Sequence, residues 1–151
     1  MYDYKNFTVA VDFDDTCVVS GDVYPEIECD VPGAAMELAK LAAFGVRIVL
    51  WTCREGKDLD VAVKWFRERS IPLFGVNCNP DKYWLTHPTG RKVYADVYVD
   101  DKALGVPLMY VMNKPIVNWN AAAELIYRTH FYWQQRFHTD NKAPKAEEAN
   151  E

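Results

Sequence analysis

"VAVDFDDT", residues 9–16, sets an apolar run directly before three aspartates, Asp12, Asp14 and Asp15. With Phe7 and Thr8 in front, the run is apolar or β-branched at successive positions rather than alternating, as in a strand covered on both faces. The stretch reads as a central strand of a parallel sheet. Its acids then crowd the end of a buried element, where they repel one another and desolvation raises the cost of keeping each ionised. A bound cation would offset that charge.

The same signature returns in "VRIVLW" (46–51) and "ADVYVDD" (95–101), with a short apolar run in "PLFGV" (72–76). Between them, "PGAAMELAKLAAFG" (32–45) opens with Pro32, closes with Gly45 and carries Ala35, Leu38, Ala39, Leu41 and Ala42 at helical spacing. "KDLDVAVKWFRERS" (57–70) repeats the pattern through Leu59, Ala62, Val63 and Phe66. Either "LMYVM" (108–112) or "PIVNW" (115–119) supplies an outer strand. Strands alternating with helices imply an α/β fold, Rossmann-like, with three α/β/α layers around a central parallel sheet. Such sheets bind ligands beyond the carboxyl ends of their strands. Asp12 to Thr16, Thr52 to Arg54, and Asp100 with Asp101 all leave strands at that end, so they are expected to converge.

A chain of 151 residues builds one domain with a sizeable core. We assign residues 1–138 to that domain, with an aromatic C-terminal helix over about 120–138. The charged, alanine-rich segment 139–151 lacks periodicity and is read as a disordered tail. A net charge of −5 argues against a broad nucleic-acid footprint, leaving at most contacts to phosphorylated ends. No charged leader or membrane-length apolar run is present, so a cytoplasmic protein without membrane contact is expected. Cys17, Cys29, Cys53 and Cys78 have no CxxC or His spacing and are read as reduced, semi-buried thiols. His87, His130 and His138 are assigned no chemistry.

Converging Asp12, Asp14, Asp100 and Asp101 would form an oxygen-rich pocket suited to a hard cation such as Mg²⁺. Thr52 offers a hydroxyl and a backbone N–H to a phosphoryl oxygen, and Lys92 offers a point charge. Beside the cation, an ionised Asp12 can attack phosphorus in line, and Asp14 can protonate the leaving oxygen. Arg54, just past Thr52, and the neighbouring Lys57 could clamp a second anionic group of the substrate. Tyr83, Trp84 and His87, in the long loop from Asn77 to about Lys92, are read mainly as aromatic packing.

These residues resemble the haloacid dehalogenase superfamily of aspartate-nucleophile phosphatases. "DFDDT" looks like its first motif, "LWT" like the second and "VYVDD" like the acidic fourth. The resemblance implies Asp12 as nucleophile, Asp14 as general acid and base, and Asp100 with Asp101 as metal anchors. It further implies metal ligation by the Asp12 carboxylate and the Asp14 backbone carbonyl. The basic third motif falls on Lys92, with Arg91 and Lys82 as competitors. Asp15 stands where glycine is commonest in the first motif and receives no catalytic role. Neither Thr16–Leu50 nor Arg54–Lys92 has room for an inserted cap, so the resemblance is to a capless member.

The expected activity is Mg²⁺-dependent hydrolysis of a small phosphate ester, a nucleotide or sugar phosphate, with nucleic-acid 3′-phosphate ends as the alternative. A phospho-accepting receiver domain is disfavoured because its acid pair precedes its acceptor strand, whereas here one pair comes late. A catalytically silent metal-binding scaffold remains the other alternative. In "AAAELIYRTHFYWQQRF" (121–137), Ala122, Leu125, Ile126, Thr129, Trp133 and Phe137 share one helix face. Tyr127 and Phe131 lie nearly opposite, which suggests a homo-oligomer through this helix.

Overall fold

The computed structural model describes residues 6–80 and 92–139. Four parallel strands form the central sheet: β1 (Thr8–Val11), β4 (Arg47–Leu50), β5 (Gly75–Val76) and β6 (Val97–Val99), in the order β5-β4-β1-β6. Val9 faces Ile48 across one ladder and Val97 across the other, which makes β1 the central strand the apolar run implied. The fold is α/β and Rossmann-like, with helices α1 (Ala34–Ala43), α2 (Gly56–Glu68) and α3 (Trp119–Thr139).

Successive residues of a strand face opposite sides of the sheet, and the core divides accordingly. Val9, Val11, Ile48, Leu50 and Val99 belong to a cluster that takes in Leu38 and Leu41 of α1, Ala62 and Phe66 of α2, and Ile126 of α3. Ala10 and Val49 face the other way and are covered, among the described residues, by Val93, Ala95, Trp51 and Phe74. Helix α1 ends where Gly45 adopts φ +81°, a left-handed conformation that costs glycine little.

Two elements depart from expectation. The segment between the first acids and α1, where the sequence pattern marks no strand, is an antiparallel hairpin of β2 (Val18–Ser20) and β3 (Ile27–Asp30). Three bonded groups hold it in place. Trp65 Nε1 donates to Asp30 at 2.8 Å, Arg69 forms a bidentate pair with the same carboxylate, and Lys114 Nζ donates to the Ser20 and Gly21 carbonyls. The two candidate outer strands pair with each other instead, as hairpin β7 (Leu108–Val111) and β8 (Lys114–Val117), separate from the main sheet.

Helix α3 docks through Trp119, Ala122, Ala123 and Ile126, with Tyr127 half-buried and donating to Glu37 at 3.2 Å. Leu125, on the same wheel face as Ala122 and Ile126, is exposed, as are Phe131 and Tyr132, whereas Tyr127 comes from the opposite face. His130 stacks 4.9 Å from the Phe7 ring. All four cysteines are free, but Cys29, Cys53 and Cys78 are exposed rather than semi-buried. Among the described residues no helix is long and apolar enough to cross a membrane. Lys82, Tyr83, Trp84, His87, Arg91, the side chain of His138 and the tail from residue 140 lie outside what is described.

Candidate functional site

The ladders run past the strand ends and bring their following residues to one edge of the sheet. Asp12 N–H donates to Val99 O, Trp51 N–H to Val11 O and Asn77 N–H to Leu50 O, at 2.8–2.9 Å. After β1 the chain turns at once: Cys17 and Val18 N–H both donate to Phe13 O, and Asp15 sits at φ +54°. Phe13 is fully buried, packed edge-on to Trp65. Asp12 and Asp14 on either side of it stay partly exposed.

Asp12, Asp100 and Asp101 each offer a carboxylate oxygen within 4.8 Å of the others. Burial pushes the Asp12 carboxyl up from 3.8 to about 7; the charges of Asp100, Asp101 and Asp14 add to this, and a backbone hydrogen bond at Phe13 opposes it. Asp101 is also raised by burial, against the neighbouring Lys102 ammonium that pairs with it. The cluster therefore carries more negative charge than its protein surroundings neutralise, which is the electrostatic setting of a hard-cation site.

That shift has a consequence for stability. The folded protein holds the Asp12 proton more tightly than the unfolded chain, so the Asp12 contribution to stability falls as pH rises from 3.8 to about 7. Without divalent cations, Asp12→Asn should therefore raise the thermal midpoint relative to wild type more at pH 8 than at pH 4. Parallel midpoints at both pH values would contradict this assignment of the shift.

Asp14 stands apart from the cluster. Arg54 Nε donates to Asp14 Oδ2 at 2.9 Å and Nη2 to Oδ1 at 2.6 Å, a bidentate pair. Arg54 is only 1 % exposed. It is thus committed inside the protein and does not serve as the expected clamp for a second substrate anion. Lys57, the other expected substrate contact, is exposed on the first turn of α2.

Thr52 is at the edge as expected, but its backbone N–H donates to Asn77 Oδ1 at 2.8 Å and is not free for a phosphoryl oxygen. Its Oγ1 accepts from Arg54 N–H, which leaves the hydroxyl proton to donate outward. Gly75 allows the Asn77 loop to fold this tightly, since a Cβ there would lie 2.1 Å from Cys78 O. Lys92 is exposed, with its ammonium 5.1 Å from the Tyr98 ring centroid, and is ion-paired to none of the three acids. Asp15 bonds the Ser20 N–H and hydroxyl, which ties the turn to β2 and fits a structural role.

Three residues at this edge were not singled out from the sequence. The buried Thr16 donates through its hydroxyl to Asp12 Oδ2 at 3.4 Å and accepts from Asp101 N–H at 3.1 Å, linking two of the acids. Its place beside the acids in "DFDDT" was a usable signal. Lys102 follows "VDD" directly and was equally visible. Asn77, which orients Thr52 from 25 residues away, left no local signal.

A solved structure from Bacteroides thetaiotaomicron, described as the conserved protein coded by a locus of that organism, aligns with a TM-score of 0.63. The two are 31 % identical, over 82 % of this chain and 91 % of that one. The chain belongs to that protein's family. No protein-family model matches the chain, and no curated protein does.

Proposed function

We propose that the protein is a capless member of the haloacid dehalogenase superfamily, a cytoplasmic phosphomonoesterase that uses Mg²⁺ and passes through an aspartyl-phosphate. The observation that carries this reading is the meeting of Asp12, Asp100 and Asp101 from two adjacent parallel strands, with one oxygen of each within 4.8 Å. Supporting it, Thr52 and Asp14 stand on the loops beside this cluster.

The donor set fits a hard cation: three carboxylates, and a pKa near 7 on the one central to the chemistry. Asp12, Asp100 and Asp101 would hold Mg²⁺, together with the Asp14 backbone carbonyl by family resemblance. When bound, the cation supplies positive charge against the acids and the phosphoryl oxygens. An Asp12 oxygen bonds to phosphorus as the ester P–O bond breaks, and Asp14 gives its proton to the departing oxygen. Asp14 then takes a proton from water as that water's oxygen bonds to phosphorus and the bond to Asp12 breaks, restoring both carboxyl groups. The Thr52 hydroxyl and one basic residue, Lys92, Arg91 or Lys82, hold the phosphoryl oxygens.

A small ester, a nucleotide or sugar phosphate, is the substrate we favour over nucleic-acid ends. With Arg54 engaged by Asp14, one cation counted on for a polyanion is withdrawn, and the chain carries net charge −5. The exposed Phe131 and Tyr132 support a homo-oligomer through α3 as part of the same proposal.

Phosphate release from an aryl phosphate tests the reading. Turnover with Mg²⁺, abolished by a chelator and restored by added Mg²⁺, is expected. No release under any divalent cation would leave the silent metal-binding scaffold as the better account.

A further inference from the structure

Arg54 starts on the loop after β4, yet its side chain reaches the tip of the β2–β3 hairpin. One Nη2 serves both Asp14 Oδ1 and the Pro25 carbonyl, the latter at 2.9 Å. The ring centroids of Phe13 and Tyr24 lie 5.0 Å and 5.5 Å from the guanidinium carbon. Tyr24 itself is 62 % exposed, so the hairpin tip it occupies borders solvent beside Asp14. At its base, Arg54 N–H donates to Thr52 Oγ1 at 3.1 Å. One residue therefore joins the Thr52 loop, Asp14 and the hairpin.

We propose that Arg54 is a positioning residue that sets the orientation of the Asp14 carboxylate for proton exchange with the leaving group. The inference rests on the phosphatase reading above and deepens it. A planar guanidinium bonded to both carboxylate oxygens fixes the carboxylate's rotation as well as its place, which a single-point ammonium cannot do. The rings of Phe13 and Tyr24 and the Pro25 carbonyl fix the guanidinium in turn. Buried as it is, Arg54 acts on substrate through Asp14 and not by contact.

The leaving group provides the test, because an acid matters most when the departing oxygen is a poor leaving group. Arg54→Lys should lower kcat/KM for an alkyl phosphate by more than ~10-fold, since small misplacements of a catalytic group are costly. For a nitrophenyl phosphate, whose phenolate departs without a proton, kcat/KM should stay within about threefold. In an Asp14→Asn background, Arg54→Lys should add almost nothing, because both changes act through one group.

An equal loss of kcat/KM on both esters, or additive losses in the double variant, would overturn the proposal in favour of direct substrate contact or a purely structural role. Should Arg54→Lys not fold, the same comparison is made on Tyr24→Ala, which frees one face of the guanidinium and leaves the Asp14 pair in place. A smaller loss confined to the alkyl ester is then expected, and an equal loss on both overturns it. Failure of the phosphatase reading itself looks different: wild type turns over neither ester.

Discussion

Replacing Asp12 with asparagine lowers kcat/KM toward an aryl phosphate by more than ~10³-fold, the loss expected when an enzyme's nucleophile is removed. An amide cannot attack phosphorus, yet it matches the carboxylate closely in shape. The loss corresponds to about 4 kcal/mol of transition-state stabilisation. The fold should survive, because Asp12 is held mainly by its backbone ladder to Val99. Relief of the burial cost of the Asp12 charge, and of repulsion from Asp100 and Asp101, even favours the variant when no cation is bound. Steady-state kinetics alongside thermal unfolding separates the two effects. Near-normal turnover by a folded Asp12→Asn protein would overturn the covalent mechanism.

The second large effect lies away from the acids. Trp119 opens α3, is fully buried and donates through Nε1 to the Thr16 carbonyl at 2.7 Å. Thr16 in turn bridges Asp12 and Asp101, so the start of the C-terminal helix braces the acid-bearing turn. Trp119→Ala removes a large core ring and leaves that carbonyl without its partner, at a cost of about 3–5 kcal/mol. For a chain of this length the thermal midpoint should fall by roughly 10 °C. Trp119→Phe keeps most of the packing and loses the bond, so about 1–2 kcal/mol is expected. A fall of less than about 1 kcal/mol for Trp119→Ala would mean that α3 does not brace this turn.

Buried strands and long amphipathic helices announced themselves because one physical cause shapes many consecutive residues. The run through Val9, Ala10 and Val11 is apolar because both sheet faces are covered, and the runs through Ile48 to Leu50 and around Val99 follow the same rule. The meeting of Asp12, Asp100 and Asp101 was legible because parallel strands deliver their carboxyl ends to one edge, whereas Asp14, expected in the same pocket, is paired with Arg54 instead.

The β2–β3 hairpin was hidden for the opposite reason. "IECD" alternates apolar and polar residues, but over only four positions, all of them exposed, and "VVS" is too short to carry a period. Arg54 looked like a free substrate clamp because its partner, Asp14, is 40 residues away, and no local pattern reports a side-chain pair over that distance. Asn77 is a similar case. On α3, a helical wheel sorts residues into faces but cannot say which face docks. Tyr127 is drawn in by Glu37 and Leu125 is left outside.

The covalent intermediate is the central claim, and chemical trapping addresses it directly. Borohydride reduces an acyl phosphate to an alcohol and spares a free carboxylate. Wild-type protein quenched with borohydride during turnover of an aryl phosphate in Mg²⁺, then digested and sequenced by tandem mass spectrometry, should carry homoserine at position 12 and nowhere else. Reduction at another acid, or turnover at the same rate with residue 12 unmodified, would contradict the account.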